Sequence, residues 1–105
     1  MTSPCEIQLP YTRESFVYLL ACGAHPDTSP YSHRAIARWC ELFWNHFCDV
    51  DTSDEIDQLM PVLADVENQW DHYSAAKSRA AGVEVNWMPA EWFAEWHEEV
   101  EKKHN

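Results

Sequence analysis

Hydrophobic side chains recur at intervals of three and four residues along most of this 105-residue chain. Such spacing is typical of helices that bury one face and expose the other. Only two glycines, Gly23 and Gly82, interrupt the long stretches, which disfavours the many short turns of a β-sandwich. The pattern predicts an all-α, single-domain bundle of about four helices that takes in residues 1–105. The expected helices cover about 12–22, 32–48, 53–79 and 89–102.

Residues that start and stop helices set the bounds of the first two predicted helices. Thr12 is a suitable N-cap for the first helix, because its hydroxyl can accept a hydrogen bond from a free backbone N–H group. Gly23 is expected to end that helix. Either Ser29, which precedes a proline, or Ser32 can cap the second helix.

The second helix is expected to be the central one of the bundle. Apolar residues occupy roughly two thirds of its circumference, so it should be contacted on more than one side. Its main stripe consists of Ile36, Trp39, Cys40, Phe43 and Phe47.

The third helix is expected to begin at a capping box formed by Thr52 and Glu55. Pro61 lies inside its apolar pattern, removes one backbone hydrogen bond and clashes with the preceding turn, so we expect a kink or a break there. The alternative is a short helix that ends near Met60 and a second one that begins at Pro61. Residues 83–87 alternate like a strand, but a lone strand has no partner, so an extended loop on the bundle is expected.

The chain is strongly acidic, with a formal charge of −11 from 7 basic and 18 acidic residues. Residues 51–105 contain thirteen of these acids, so the acidic surface belongs mainly to the second half. Excess carboxylate repels nucleic acid, whereas it attracts positively charged proteins. We therefore expect no nucleic acid partner and a protein partner with a basic surface.

The N-terminus lacks the basic and apolar regions of a signal peptide, and no apolar run is long enough to cross a bilayer. These features predict a cytoplasmic protein that does not enter the membrane. Thiols in that compartment are normally reduced, so four free cysteines are expected rather than a disulfide framework. They are Cys5, Cys22, Cys40 and Cys48.

Residues 49–57 carry oxygen-bearing side chains at alternate positions, as calcium-binding loops do. The sixth position, which needs glycine, is Asp54, and the twelfth, which needs a bidentate glutamate, is Met60. An acidic helix start is therefore the preferred interpretation. No nucleophile motif, HExxH pair or phosphate-binding glycine loop is present, so the sequence predicts neither an enzyme nor a cofactor.

One cluster, Cys40, His46 and Cys48, is a candidate for thiol or metal chemistry. His46 and Cys48 are two residues apart and point to different sides of a helix. Cys40 lies in the middle of the apolar stripe, where a free cysteine normally acts as a small hydrophobic residue. Packing is the preferred interpretation, and a thiol- or metal-dependent regulator is an alternative function.

Five of the six tryptophans fall into two groups, and the sixth, Trp44, extends the apolar stripe of the second helix. Trp39 and Trp70 lie on the stripes of the second and third helices and are expected in the core. The second group consists of three tryptophans that lie within ten residues of one another near the C-terminus, among acidic residues: Trp87, Trp92 and Trp96. Either the fourth helix docks this face on the first two helices, or part of it stays exposed as an acid-rimmed aromatic patch. In the second case the partner-binding residues are Trp87, Glu91, Trp92, Glu95, Trp96 and Glu99.

Small size, strong charge and the lack of catalytic motifs together favour a non-catalytic protein–protein interaction module. Its partner would be basic, as for an inhibitor or an immunity-type protein, because opposite charge speeds such encounters. A further alternative is an obligate subunit of a larger complex that covers the fourth helix. The pattern leaves the oligomeric state open.

Overall fold

Four helices form the protein in the computed structural model, which describes residues 7–82 and 87–104 of the chain. The helices are α1 (Arg13–Ala24), α2 (His33–Phe47), α3 (Asp54–Ala81) and α4 (Ala90–His104). The predicted all-α bundle is confirmed, and every predicted bound lies within two residues of the observed one. Cys5 and the strand-like residues 83–86 lie outside the described residues.

Hydroxyl side chains cap the first three helices. Thr12 and Ser32 each accept a hydrogen bond from the backbone N–H three residues ahead, at 3.2 and 3.1 Å. Ser32, not Ser29, is thus the cap of α2. The cap of α3 is Ser53, which accepts at 3.3 Å, so the capping box predicted at Thr52 begins one residue too early.

The two glycines have different roles. Gly82 ends α3 in the left-handed conformation, with φ 70, and its N–H donates to the carbonyl of Ser78 at 2.7 Å. This conformation favours glycine because a side chain would meet the following carbonyl. Gly23 instead lies inside α1 and is buried, so it does not end the helix where the sequence pattern predicted.

Pro61 does not interrupt α3, which runs through it as one helix of 28 residues. The predicted break, and with it the alternative of two shorter helices, is therefore wrong. Pro61 and Asp57 are both exposed. The carbonyl of Asp57 loses its helical donor to the proline ring, and its residue lies on this solvated side, where water can take the place of that donor.

α3 sets the length of the molecule. Its 28 residues extend about 42 Å at 1.5 Å per residue, and the longest dimension of the protein is 42 Å. In the described part of the chain, no helix combines the length and the apolar character needed to cross a bilayer.

The core lies between two closely packed helix pairs, α1 with α4 and α2 with α3. The predicted stripe of α2 is confirmed over Ile36, Trp39, Cys40 and Phe43, all at most 1% exposed. The indole Nε1–H of Trp39 donates to the carbonyl of Leu9 at 3.2 Å. This bond fixes the segment before α1 across the stripe and satisfies the polar atom of a buried aromatic.

Candidate functional site

A groove of about 360 Å³ lies between the middle of α3 and α4. Its walls are built by helical periodicity, because residues three and four apart share one side of a helix. α3 contributes two residues four apart, and α4 contributes four residues with spacings of three, one and three. The lining residues are Asp65, Gln69, Trp92, Glu95, Trp96 and Glu99.

Four of the six predicted partner-binding residues line this groove: Trp92, Glu95, Trp96 and Glu99. The structure adds Asp65 and Gln69 from the facing helix. The sequence pattern has no means of showing that the side of α3 with Asp65 faces α4.

Trp96 belongs to the core as well as to the groove. Only 5% of it is exposed, and its ring packs edge-on against Phe93 with the centroids 5.1 Å apart. Its Nε1–H donates to Oδ2 of Asp65 at 2.6 Å, a short bond of the charge-assisted kind. This contact joins α3 to α4 and holds one carboxylate oxygen of Asp65 at the groove.

Trp92 forms an aromatic wall of the groove. It is half-buried, and its ring meets Tyr73 edge-on with the centroids 5.6 Å apart. The ammonium group of Lys77 lies over the ring of Tyr73, with Nζ 5.6 Å from the ring centroid. A cation attracted by the electron-rich face of a ring therefore already accompanies the aromatic pair at this site.

Charges on α4 are distributed unevenly around the helix. Lys102 lies 3.5 Å from Glu98, and Arg13 of α1 lies 3.3 Å from Glu101. Those two ion pairs place cations on sides of α4 turned away from the groove. Glu95 and Glu99 are exposed and line the groove.

Trp87 and Glu91, the other two predicted partner-binding residues, do not line the groove. Trp87 is 47% exposed and its ring contacts His33, with the centroids 5.1 Å apart. Glu91 is exposed in the first turn of α4. The six residues thus do not all line one groove. α4 packs mainly on α1 and less extensively on α3. Docking on the first helix is therefore observed, but the second closely packed partner of α4 in the described part of the chain is α3, not the predicted second helix.

Cys40, His46 and Cys48 are not brought together as a ligand set. Cys40 is fully buried in the core, whereas His46 is exposed against Tyr11, with the ring centroids 5.5 Å apart. The thiol of Cys48 donates to the carbonyl of Asn45 at 3.6 Å. Burial, and after it the charge of the neighbouring Asp49, raises the pKa of the Cys48 thiol, which lowers the thiolate fraction that metal binding and nucleophilic attack require.

His33 is a buried polar residue that sequence reasoning missed. It is 1% exposed, its Nε2 lies 2.9 Å from the carbonyl oxygen of Gly23, and its Nδ1 accepts from the backbone N–H of Met88 at 2.9 Å. The ring also packs on Phe93, with the centroids 4.3 Å apart. The signal was its position three residues before Ile36, which places it on the apolar stripe of α2.

Comparison of the chain with protein-family models, with curated proteins and with solved structures finds no match.

Proposed function

We propose that the protein is a non-catalytic binding module whose α3–α4 groove takes a positively charged side chain of a basic partner protein. The observation that carries this proposal is the composition of the groove. Three carboxylates, from Asp65, Glu95 and Glu99, line one concave site of about 360 Å³ together with the half-buried ring of Trp92.

The size of the groove suits one long side chain and its immediate neighbours. Its volume lies near the lower end of the roughly 300–1,000 Å³ typical of ligand sites. A large apolar anchor is not favoured, because most of the lining residues are polar and the ring of Trp96 is already covered by the core. A slender side chain with a charged end fits both the volume and the chemistry.

Arginine fits the groove better than lysine. Its planar guanidinium stacks on an aromatic face while its fork of N–H groups binds a carboxylate with two parallel hydrogen bonds. A cation–aromatic contact of this kind contributes about 0.5–1 kcal/mol at an exposed site. Trp92 offers the ring, and the carboxylates of Glu95 and Glu99 lie on the same side of α4.

The net charge supports the same class of partner. With −11 on 105 residues, the protein attracts basic surfaces over about a Debye length, roughly 10 Å at moderate salt. Such steering raises association rates more than it raises affinity. In the form of this function that we favour, the module inhibits or neutralises a basic enzyme, as immunity-type proteins do.

The test uses a nine-residue glycine–serine peptide with one central arginine, and two matched peptides with lysine or glutamine in that place. Binding is followed by NMR through the indole N–H signals of Trp92 and Trp96. We expect the arginine peptide to shift both signals at low salt, the lysine peptide to bind more weakly, and the glutamine peptide to leave them unchanged.

Charge-matched variants show whether the groove is the site. Glu95→Gln and Glu99→Gln each remove one carboxylate from the lining and are expected to weaken arginine-peptide binding up to about fivefold, since an exposed ion pair contributes about 0.2–1 kcal/mol. Glu91→Gln removes the same charge from the same helix outside the groove and should have little effect. Equal weakening by all three variants would refute the groove as the site.

A further inference from the structure

The hydrogen bonds of His33 are compatible with only one form of its ring. Nδ1 accepts from the backbone N–H of Met88, so Nδ1 carries no proton. Nε2 must then carry the proton, which it donates to the carbonyl of Gly23. A doubly protonated ring keeps the bond to Gly23 but turns Nδ1 into a second donor, facing the N–H of Met88 inside the core.

His33 joins three parts of the chain that are distant in sequence. It begins α2, its Nε2 bonds to the last turn of α1, and its Nδ1 holds Met88, two residues before α4. Met88 is itself buried, at 5% exposed. The backbone bond to His33 and the burial of this side chain therefore fix the start of α4 together.

The ring also belongs to a row of packed side chains that reaches the groove. His33 contacts Phe93, Phe93 contacts Trp96, and Trp96 donates to Asp65. Since Trp92 lies within the first turns of α4, a shift of the helix start moves both tryptophans of the groove relative to α3.

Among the described residues, the groups that contact the ring of His33 are uncharged. α1 presents the carbonyl of Gly23, α4 the ring of Phe93, and the segment before α4 the ring of Trp87 and the amide of Met88. Burial lowers the pKa of His33 below its ordinary value of 6.5. No charged side chain within residues 7–82 and 87–104 contributes to the shift.

We propose that His33 is a proton-operated latch on the start of α4. The neutral ring holds Met88 in place, and protonation releases it. The second half of the inference, that release weakens the groove for its cationic ligand, rests on the proposed function. Because the folded pKa lies below the ordinary value, the latch is fully stable above pH 6.5 and is lost as the pH falls through 6.5 towards the folded pKa.

The latch itself is tested without any ligand. Hydrogen exchange gives the protection factor of the Met88 amide at pH 7.5 and pH 5.5, and nitrogen-15 spectra of the imidazole report its tautomer and its protonation. We expect the Nε2–H tautomer at pH 7.5 and a loss of Met88 protection that follows ring protonation. Each unit by which latching lowers the pKa corresponds to about tenfold in that protection.

Two variants separate His33 from other titrating groups. His33→Asn keeps an acceptor close to the position of Nδ1 but does not titrate, so the protection of Met88 should vary little between the two pH values. His72→Asn removes an exposed histidine of α3 and should retain the wild-type pH response. An Nδ1–H tautomer at pH 7.5, or Met88 protection that is unchanged once the wild-type ring is protonated, overturns the latch even if His33→Asn fails to fold.

The coupling to the groove is tested by the affinity of the arginine peptide at the same two pH values. Wild-type protein should bind at least threefold more weakly at pH 5.5, and His33→Asn should show a smaller change. A latch that opens while the affinity stays constant refutes the coupling. Failure of the peptide to bind at either pH refutes the proposed function, while the Met88 measurement still decides whether the latch exists.

Discussion

Adding one methyl group at Gly23 is expected to destabilise the protein, although the same change stabilises an ordinary helical position. An ideal Cβ at Gly23 would lie 2.3 Å from Cδ1, 2.4 Å from Cγ and 2.8 Å from Cε1 of Phe93. Carbon atoms normally pack at about 3.5–4.0 Å. The helix therefore approaches α4 more closely than an alanine allows.

The magnitude follows from two opposing contributions. Alanine gains about 1 kcal/mol over glycine in helix propensity, and no positive φ at Gly23 opposes the change, since Gly82 alone has one among the described residues. Overpacking costs about 1–3 kcal/mol. The cost should lie near the upper limit here, because three atoms of a fully buried ring are within 3 Å. The net loss for Gly23→Ala is then about 2 kcal/mol, or about 10 °C in Tm.

Urea and thermal unfolding followed by circular dichroism measure this loss. Ala76→Gly, on the exposed part of α3, calibrates helix propensity in the same protein and should lose about 1 kcal/mol. Phe93→Leu shortens the ring side chain, so the double variant Gly23→Ala/Phe93→Leu should be more stable than the sum of the two single changes by about 1–2 kcal/mol. A Gly23→Ala protein as stable as wild type, or strict additivity, would refute the close approach.

Three further outcomes are expected from the tryptophans and their partners. Trp96→Ala should lower the free energy of unfolding by about 3–5 kcal/mol because the ring is buried. Trp87→Ala should lower it by about 1 kcal/mol or less because that side chain is 47% exposed. Chemical denaturation of the two variants measures both losses. Asp65→Leu leaves the indole N–H of Trp96 without its acceptor and should cost about 1–3 kcal/mol, while Asp65→Asn retains an acceptor and should cost less in the same assay. When the pH falls from 7.5 to 5.5, the wild type should lose more stability than His33→Asn, because His33 takes up a proton at a higher pH in the unfolded chain than in the folded core. Parallel urea titrations of both proteins measure the two losses. Equal losses would contradict this expectation.

Local patterns predicted the helices well because they act over one or two turns. The caps at Thr12 and Ser32 and the spacing of the apolar residues set the bounds of α1 and α2 to within two residues. For Pro61, the predicted break is wrong for a reason that is not local. The free-energy cost of Pro61 in a helix depends on whether the carbonyl that loses its donor, that of Asp57, faces the core or water. That depends on the orientation of α3 in the bundle.

The groove was only half predictable for the same physical reason. The spacing of Trp92, Glu95, Trp96 and Glu99 shows that they share one side of α4, but it does not show how far that side turns towards α1. In the bundle Phe93, Trp96 and Val100 are buried, whereas Trp92 is only half-buried. The contribution of Asp65 depends on a contact between residues 31 positions apart.

Gly23 and His33 are two positions at which local sequence rules predict the wrong surroundings, and these two residues contact each other. A glycine near a helix end normally caps it, and a histidine after a serine cap normally faces solvent. Here the glycine admits the ring of Phe93 and the histidine is buried beside that ring. Sequences depart from local preferences where packing or function requires it. Packing explains Gly23, since its missing Cβ makes room for Phe93. It does not explain His33, because a leucine or phenylalanine would fill that space without a titratable group. The imidazole is needed only for its two hydrogen bonds, and one of them exists only while the ring is neutral.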